Sequence, residues 1–133
     1  MEIRQILAPT DFSEYSKQAV VSAYELAQTF GAKLLLLHVV EQLDYPMRSY
    51  PHLVTTTLDY LQRQAHLDLA QMLPEAQDVK VEVTRRVVVG PPYCEIVKVA
   101  RAEQADLIVM ATHGRTGLSH LVMGSVAERV VRM

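Results

Sequence analysis

The chain has 133 residues, of which 50% are apolar and 21% charged, and its formal net charge is −2 at pH 7. This composition is typical of a soluble globular protein, and the length predicts a single domain over residues 1–133. Lysine and arginine form no basic run and the longest apolar run, residues 34–40, is far too short to span a bilayer, so neither nucleic-acid binding nor membrane binding is indicated.

Short apolar runs along the chain predict strands that are buried on both faces. Such runs lack the alternation of a half-exposed strand, because helices cover both sides of a parallel sheet. The predicted strands are residues 3–8, 33–40, 79–89 and 107–111.

Longer stretches with helical spacing lie between these strands. A first helix is predicted over residues 13–30, and Gly31 stands where a C-terminal cap belongs. A second apolar stripe runs over residues 58–72 and ends near Pro74, and a third helix begins at the Pro-Pro pair 91–92.

The resulting order is β-α-β-α-β-α-β-α, which predicts an α/β fold with an open parallel sheet and helices on both faces. Ligands of such sheets bind at the edge formed by the carboxyl ends of the strands. The segment 41–53 has two prolines and no period, and it is interpreted as a mobile surface loop at this edge. It is either a plain exposed loop or a lid over a ligand.

A glycine-containing loop with the sequence ATHGRTGLSHLVMGS, residues 111–125, follows the fourth predicted strand. Glycine lets backbone N–H groups approach a ligand, and a following helix N-terminus adds unpaired donors, so phosphate is the expected ligand. The spacing matches neither the P-loop nor the dinucleotide fingerprint. The alternative interpretation is a turn that merely reverses the chain.

The start of the last helix is open to two interpretations. Ser125-Val126-Ala127-Glu128 matches a capping box, which places the helix start at residues 124–125 and turns the Ser125 hydroxyl toward the site. The rival is a longer helix starting near Leu118, in which Gly124 is only a packing residue.

Asp11 follows the first predicted strand and precedes a predicted helix. It has two compatible roles. As a structural residue it accepts hydrogen bonds from exposed backbone donors at the start of the helix. As a site residue it accepts from the ribose or adenine of a nucleotide whose phosphates lie on the glycine loop.

The remaining polar residues suggest no catalytic centre. The five histidines lack zinc-ligand spacing, so no metal site made from protein ligands is predicted, and His38 is interpreted as a hydrogen-bonded structural residue. His113 and Arg115 are candidates for ligand contact, Arg115 either neutralising phosphate charge or lying solvated. The single cysteine, Cys94, is interpreted as an inert thiol, and the absence of an internal disulfide favours a cytoplasmic location.

These segments together resemble the universal stress protein family of the UspA type over essentially the whole chain. The sequence ILAPTDFS at residues 6–13 resembles the family's first strand and adenosine-side loop, and LLHVV at residues 36–40 resembles the end of its second strand. The nucleotide-binding subgroup has the pattern Gly-x₂-Gly-x₉-Gly-Ser/Thr. Gly114 and residues 124–125 match it, with Ala111 in place of the first glycine.

The resemblance implies a stress-response protein that binds ATP, with or without Mg²⁺, and acts as a binding and signalling module, as a homodimer. It implies adenine near Thr10, Asp11 and the Val39 backbone, ribose near Asp11 and Met110, and the triphosphate on the glycine loop. The nucleotide-binding residues are then Pro9, Thr10, Asp11, Val39, Met110, Ala111, Gly114, Arg115, Gly124, Ser125 and Val126.

Two departures from the family pattern leave alternatives open. The Ala111 methyl group is either tolerated at the end of the strand or presses on the ribose or α-phosphate. The sequence stops at Val131-Arg132-Met133, where family members continue into a fifth strand, so either it is truncated or the sheet has four strands and an altered dimer contact. The alternative functions are a nucleotide-free interaction protein of the same fold and a weak ATPase, for which no catalytic base is evident.

Overall fold

The computed structural model describes residues 2–41, 51–73 and 81–112. Within these ranges strands and helices alternate along the chain, as the apolar pattern predicts. In chain order the elements are β1 (Gln5–Pro9), α1 (Glu14–Phe30), β2 (Lys33–Val40), α2 (Pro51–Ala70), β3 (Val83–Val89), α3 (Pro92–Ala102) and β4 (Leu107–Ile108).

The four strands form a parallel sheet in the order β3-β2-β1-β4. The register places Leu7 of β1 beside Leu35 of β2 on one side and beside Ile108 of β4 on the other. On the far side of β2, Val40 pairs with Val89 of β3. β1 therefore lies inside the sheet, with a hydrogen-bonded neighbour on each side.

Each face of the sheet is covered by helices, because successive side chains of a strand point to opposite faces. On one face α1 and α2 pack against the strands, and on the other face α3 does so. The first cluster includes Ile6, Ala8, Leu34 and Leu36 with Val20, Ala23, Ala27 and Leu69, and the second includes Leu7, Leu35 and Leu37 with Ile96 and Val99. The predicted open parallel sheet with helices on both faces is confirmed.

Local signals set both ends of α1. The Ser13 hydroxyl accepts a hydrogen bond from the Ser16 N–H at 3.2 Å and so caps the first turn. At the other end Gly31 has a φ of 65°, in the left-handed region where glycine avoids the strain of a Cβ. The helix predicted over residues 13–30 is therefore found with nearly the predicted bounds.

The fourth strand is shorter than the predicted residues 107–111, and the reason is Pro9. In a parallel ladder alternate residues bond to the same neighbour, and the Val109 N–H donates to the Leu7 carbonyl at 2.9 Å. The next rung would need an N–H at position 9 to donate to the Val109 carbonyl. Proline has none, so the ladder between β1 and β4 stops there and β4 ends at Ile108.

Three other predicted boundaries also differ from the structure. β1 spans Gln5–Pro9 instead of residues 3–8, and β3 begins at Val83 instead of residue 79. The predicted loop 41–53 is wrong at its end, because α2 begins at Pro51, where the fixed φ of proline suits a first helical turn and its missing N–H costs no bond. Residues 42–50 lie outside the described ranges. None of the helices within those ranges combines the length and the apolar character that a membrane crossing requires.

Asp106 fixes the start of β1 at the opposite edge of the sheet. Its carboxylate accepts hydrogen bonds from the Arg4 N–H at 2.9 Å and the Gln5 N–H at 3.0 Å. These two backbone bonds, first that of Arg4 and then that of Gln5, lower the pKa of Asp106 below its ordinary value. The exposed carboxylate thus joins the beginning of β1 to the turn before β4.

Asp106→Asn is expected to lower the free energy of unfolding near neutral pH. The pKa of Asp106 is lower in the folded than in the unfolded chain, so its carboxylate stabilises the fold above the unfolded value of about 3.9. That stabilisation is lost as the pH falls through the lowered folded-state pKa. Urea unfolding should therefore show a gap in the free energy of unfolding between wild type and variant near neutral pH, and this gap should narrow as the pH falls below the unfolded value of about 3.9.

The matched control is Asp59→Asn, which removes the same charge from an exposed position on α2. It is expected to leave stability close to the wild-type value at both pH values. An Asp106→Asn gap that does not change with pH would contradict the assigned role of the carboxylate.

Candidate binding site at the carboxyl edge of the sheet

The strand order reverses between β1 and β4. From β1 the chain passes through α1 to β2 on one side, whereas from β3 it passes through α3 to β4 on the other side of β1. The connections through α1 and α3 cover opposite faces of the sheet, and the region beyond the carboxyl ends of β1 and β4 is here called the crevice. Open α/β sheets bind ligands at such a switch point.

Pro9 ends the hydrogen-bonded pairing of β1 with β4 on the side of the crevice. It is a buried residue inside the sheet, a position where proline is rare because it interrupts a ladder. Beyond the hydrogen bond from Val109 to Leu7, the described residues form no further backbone hydrogen bond between β1 and β4. The segments that follow this last shared bond, residues 9–11 and 109–111, are here called the two walls of the crevice.

A network of hydroxyl groups orders the loop after β1. Thr10 and Ser16 are buried, with 6% and 3% of their surface exposed, and their hydroxyl oxygens are 2.8 Å apart. The Ser16 hydroxyl donates to the Ser13 carbonyl at 3.0 Å, so the proton between Ser16 and Thr10 belongs to Thr10. The Thr10 oxygen then accepts from the Phe12 N–H at 3.0 Å. Each of these buried hydroxyls thus both donates and accepts.

Asp11 lies half-buried in this loop, and its Oδ1 accepts a hydrogen bond from the Ser13 N–H at 2.9 Å. This bond confirms the predicted structural role of Asp11, the pairing of a backbone donor just before the helix. The cap of α1 itself is Ser13. The predicted role of Asp11 toward a ligand stays a prediction.

His38 ties the same loop to β2. Its Nδ1 lies 2.8 Å from the Thr10 carbonyl oxygen, and because a carbonyl only accepts, Nδ1 carries the proton. This confirms His38 as a hydrogen-bonded structural residue. Its ring also contacts the ring of Phe12, with 4.5 Å between the centroids. Phe12 was not singled out from the sequence, and its positive φ of 67° has no local sequence signal.

The backbone groups of Val39 point toward the β1 side of β2, near the loop after β1. Backbone groups of a strand point alternately to its two neighbours, and on β2 the Leu37 carbonyl accepts from the Thr10 N–H while the Val40 carbonyl accepts from the Gly90 N–H. Val39 therefore points its N–H and C=O toward the side of β1, one step beyond the rung that Thr10 makes. Its half-buried side chain packs against the cluster that includes Leu37.

Met110 and Ala111 follow β4 on the opposite wall and are half-buried. Met110 packs against the α3 side of the sheet, with Leu7 and Ile96 in the same cluster. The described part of the chain thus gathers six of the predicted residues at one edge. These are Pro9, Thr10, Asp11, Val39, Met110 and Ala111. The other five, Gly114, Arg115, Gly124, Ser125 and Val126, lie outside the described residues, as do the capping box and the last predicted helix.

Thr10→Val is expected to destabilise the protein by about 1–3 kcal/mol, because it leaves the Phe12 N–H and the Ser16 hydroxyl without their buried partner. Thr29→Val is the control: it makes the same substitution in α1, where an exposed hydroxyl donates to the Glu25 carbonyl at 3.0 Å. It should change stability by no more than about 0.5 kcal/mol. Equal losses in thermal or urea unfolding would show that the buried network contributes nothing specific.

The whole chain matches a known family and known structures. The model of the universal stress protein family matches residues 2–133. Universal stress protein MJ0577 of Methanocaldococcus jannaschii is 30% identical over 97% of this chain and 88% of its own length. Universal stress protein MJ0531 of the same organism is 33% identical over 97% of this chain and 76% of its own length.

The structural comparisons agree with the sequence relatives. A solved structure of MJ0577 superimposes with a TM-score of 0.86 and 32% identity, covering 99% of this chain and 90% of that chain. A universal stress protein solved in complex with cAMP superimposes with a TM-score of 0.62 over 99% of this chain and 91% of that chain. Its identity is 23%, at which the likeness shows the fold alone. By the family match and these relatives, the chain belongs to the universal stress protein family.

Proposed function

We propose that this protein binds an adenine nucleotide, ATP above all, in the crevice between the ends of β1 and β4, and acts as a binding and signalling module. The observation that carries the proposal is the reversal of strand order at this point, with Thr10 and Asp11 on one wall and Met110 and Ala111 on the other. A cytoplasmic location, inferred from the single cysteine, and a homodimer, inferred from resemblance to the family, are parts of the same proposal.

The base fits beside Val39. The N–H and C=O groups of one strand residue offer a donor and an acceptor side by side, and adenine presents an amine donor next to a ring-nitrogen acceptor. The half-buried side chains of Val39 and Met110 supply apolar surface for the flat ring. This pairing favours adenine over guanine, whose carbonyl and amine groups are placed differently.

The ribose fits beside Asp11. Carboxylates at the carboxyl edge of doubly wound sheets accept hydrogen bonds from ribose hydroxyls. Asp11 already bonds to the Ser13 N–H at 2.9 Å, and this fixes the carboxylate in place before a ligand arrives. A preorganised acceptor costs less entropy on binding than a freely rotating one.

The phosphates are assigned by sequence pattern. Gly114, residues 124–125 and Val126 offer backbone donors, and Arg115 offers a positive charge, in the segment that follows β4. Because the chain enters this segment from Met110 and Ala111, it begins at the crevice. The cAMP complex of another protein with this fold supports the adenine nucleotide class, though no particular contact.

A binding role is favoured over turnover. The acidic group in the described loop after β1, Asp11, is assigned to the ribose, which is the wrong end of ATP for chemistry at the γ-phosphate. Binding alone is enough to stabilise one form of the protein, because a ligand at a hundredfold excess over its Kd stabilises the bound form by about 2.7 kcal/mol. That free energy is available to hold the chain or an assembly in one arrangement.

The test is calorimetric titration of ATP, with and without Mg²⁺, into nucleotide-stripped protein. The wild type is expected to bind with a micromolar Kd. Gly114→Val should abolish binding by blocking the loop. Asp11→Asn keeps an acceptor for the Ser13 N–H but loses the charge, so it should weaken binding by about ten- to a hundredfold, the value of one charge-assisted hydrogen bond.

Asp59→Asn is the matched control, since it makes the same change on α2, and it should bind as the wild type does. Titrations with AMP, cAMP and GTP separate the contributions of the phosphates and the base. A folded wild-type protein that gives no heat with any of these nucleotides would leave the nucleotide-free interaction protein as the better account.

A further inference from the structure

Phe12 has a backbone conformation that aromatic residues rarely adopt. Its φ of 67° lies in the left-handed region, where a Cβ is crowded by the backbone. The residue stands between Asp11 and Ser13, whose mutual hydrogen bond fixes the Asp11 carboxylate. Strained residues persist only where surrounding contacts over-determine them, and they concentrate at functional sites.

Three contacts hold Phe12 in this conformation. Its N–H donates to the Thr10 hydroxyl at 3.0 Å, and its ring lies 4.5 Å from the His38 ring at an interplanar angle of 31°. The His38 ring is itself held by the hydrogen bond from Nδ1 to the Thr10 carbonyl, 2.8 Å long. Phe12 also packs against the core cluster that contains Ile6 and Val20. A side chain from β2 thus holds the loop after β1 in place.

We propose that Phe12 and His38 act together as positioning residues for the nucleotide, a pair here called the clamp. The inference rests on the proposed function. It adds two residues that position the binding site without touching the ligand. Without the clamp, residue 12 relaxes to an ordinary φ, and the turn that joins Asp11 to Ser13 is lost. The binding-competent fraction of the protein then falls, and the apparent Kd rises in inverse proportion to that fraction.

Two substitutions separate the parts played by His38. His38→Asn retains an N–H near the position of Nδ1, so it keeps a donor for the Thr10 carbonyl but loses the ring. His38→Phe keeps a ring for Phe12 and loses the donor. At position 12, Phe12→Ala loses the ring and stays strained, whereas Phe12→Gly loses the ring but adopts a positive φ freely.

The experiment measures the Kd for ATP and the amide hydrogen exchange of Phe12 and Ser13 in the full chain. Phe12→Ala and His38→Phe are each expected to raise the Kd by about tenfold and to speed exchange at these amides in the ligand-free protein. The double variant Phe12→Ala/His38→Phe should have a Kd little higher than that of the weaker-binding single variant, because the pair acts as a unit. Phe12→Gly is expected to bind ATP more tightly than Phe12→Ala does, and His38→Asn more tightly than His38→Phe.

Phe30→Ala is the control, because it removes the chain's other phenylalanine ring, which is 48% exposed at the far end of α1. It should leave both the Kd and the exchange at Ser13 at wild-type values. If Phe12→Ala fails to fold, Phe12→Leu takes its place, since it retains apolar volume at position 12 but loses the ring and stays strained, and it is expected to raise the Kd as well.

Two outcomes overturn the inference in distinguishable ways. Wild-type binding together with folded clamp variants whose Kd stays within about twofold of the wild-type value would refute the clamp and leave the proposed function intact. A folded wild type that does not bind nucleotide would refute the proposed function and the clamp together.

Discussion

The backbone of β1 bonds to β2 on one side and to β4 on the other, and its last residue, Pro9, has no N–H for the β4 side. The ladder toward β4 therefore ends at the bond from Val109 to Leu7, while Thr10 still bonds to Leu37 on the β2 side. The pairing of β1 with β2 thus extends further along the chain than its pairing with β4. The reversal of strand order lies at this uneven end of β1, and the ligand site is assigned to it.

The loop that leaves β1 is ordered by its own side chains and by β2. Thr10 is held through its amide, carbonyl and hydroxyl groups, by Leu37, His38 and Ser16 respectively. Consequently the polar wall of the crevice has one geometry before any ligand arrives. A site built this way spends less of its binding free energy on ordering.

Sequence patterns predicted what depends on local signals. The run KLLLLHVV predicted β2 with its observed bounds, and Ser13 and Gly31 lie at the predicted ends of α1. The early end of β4 was not predictable, because it depends on Pro9 lying opposite Val109, residues that only the register brings together. The positive φ of Phe12 was not predictable either, since glycine or asparagine is expected there and the ring that Phe12 contacts, His38, lies on another strand. At the site, the residues predicted to contact the nucleoside lie among the described residues, whereas those predicted to contact the phosphates do not, and both assignments stay predictions.

The central claim is that an adenine nucleotide occupies the crevice between β1 and β4. An amide-resolved NMR titration of the ¹⁵N-labelled protein with ATP tests it most directly, because it locates the ligand without any substitution. The account predicts shifts concentrated at residues 10–13, 39–41 and 109–112, on the two walls and at the end of β2. Saturable shifts confined to other surfaces, with these amides unmoved, would contradict it.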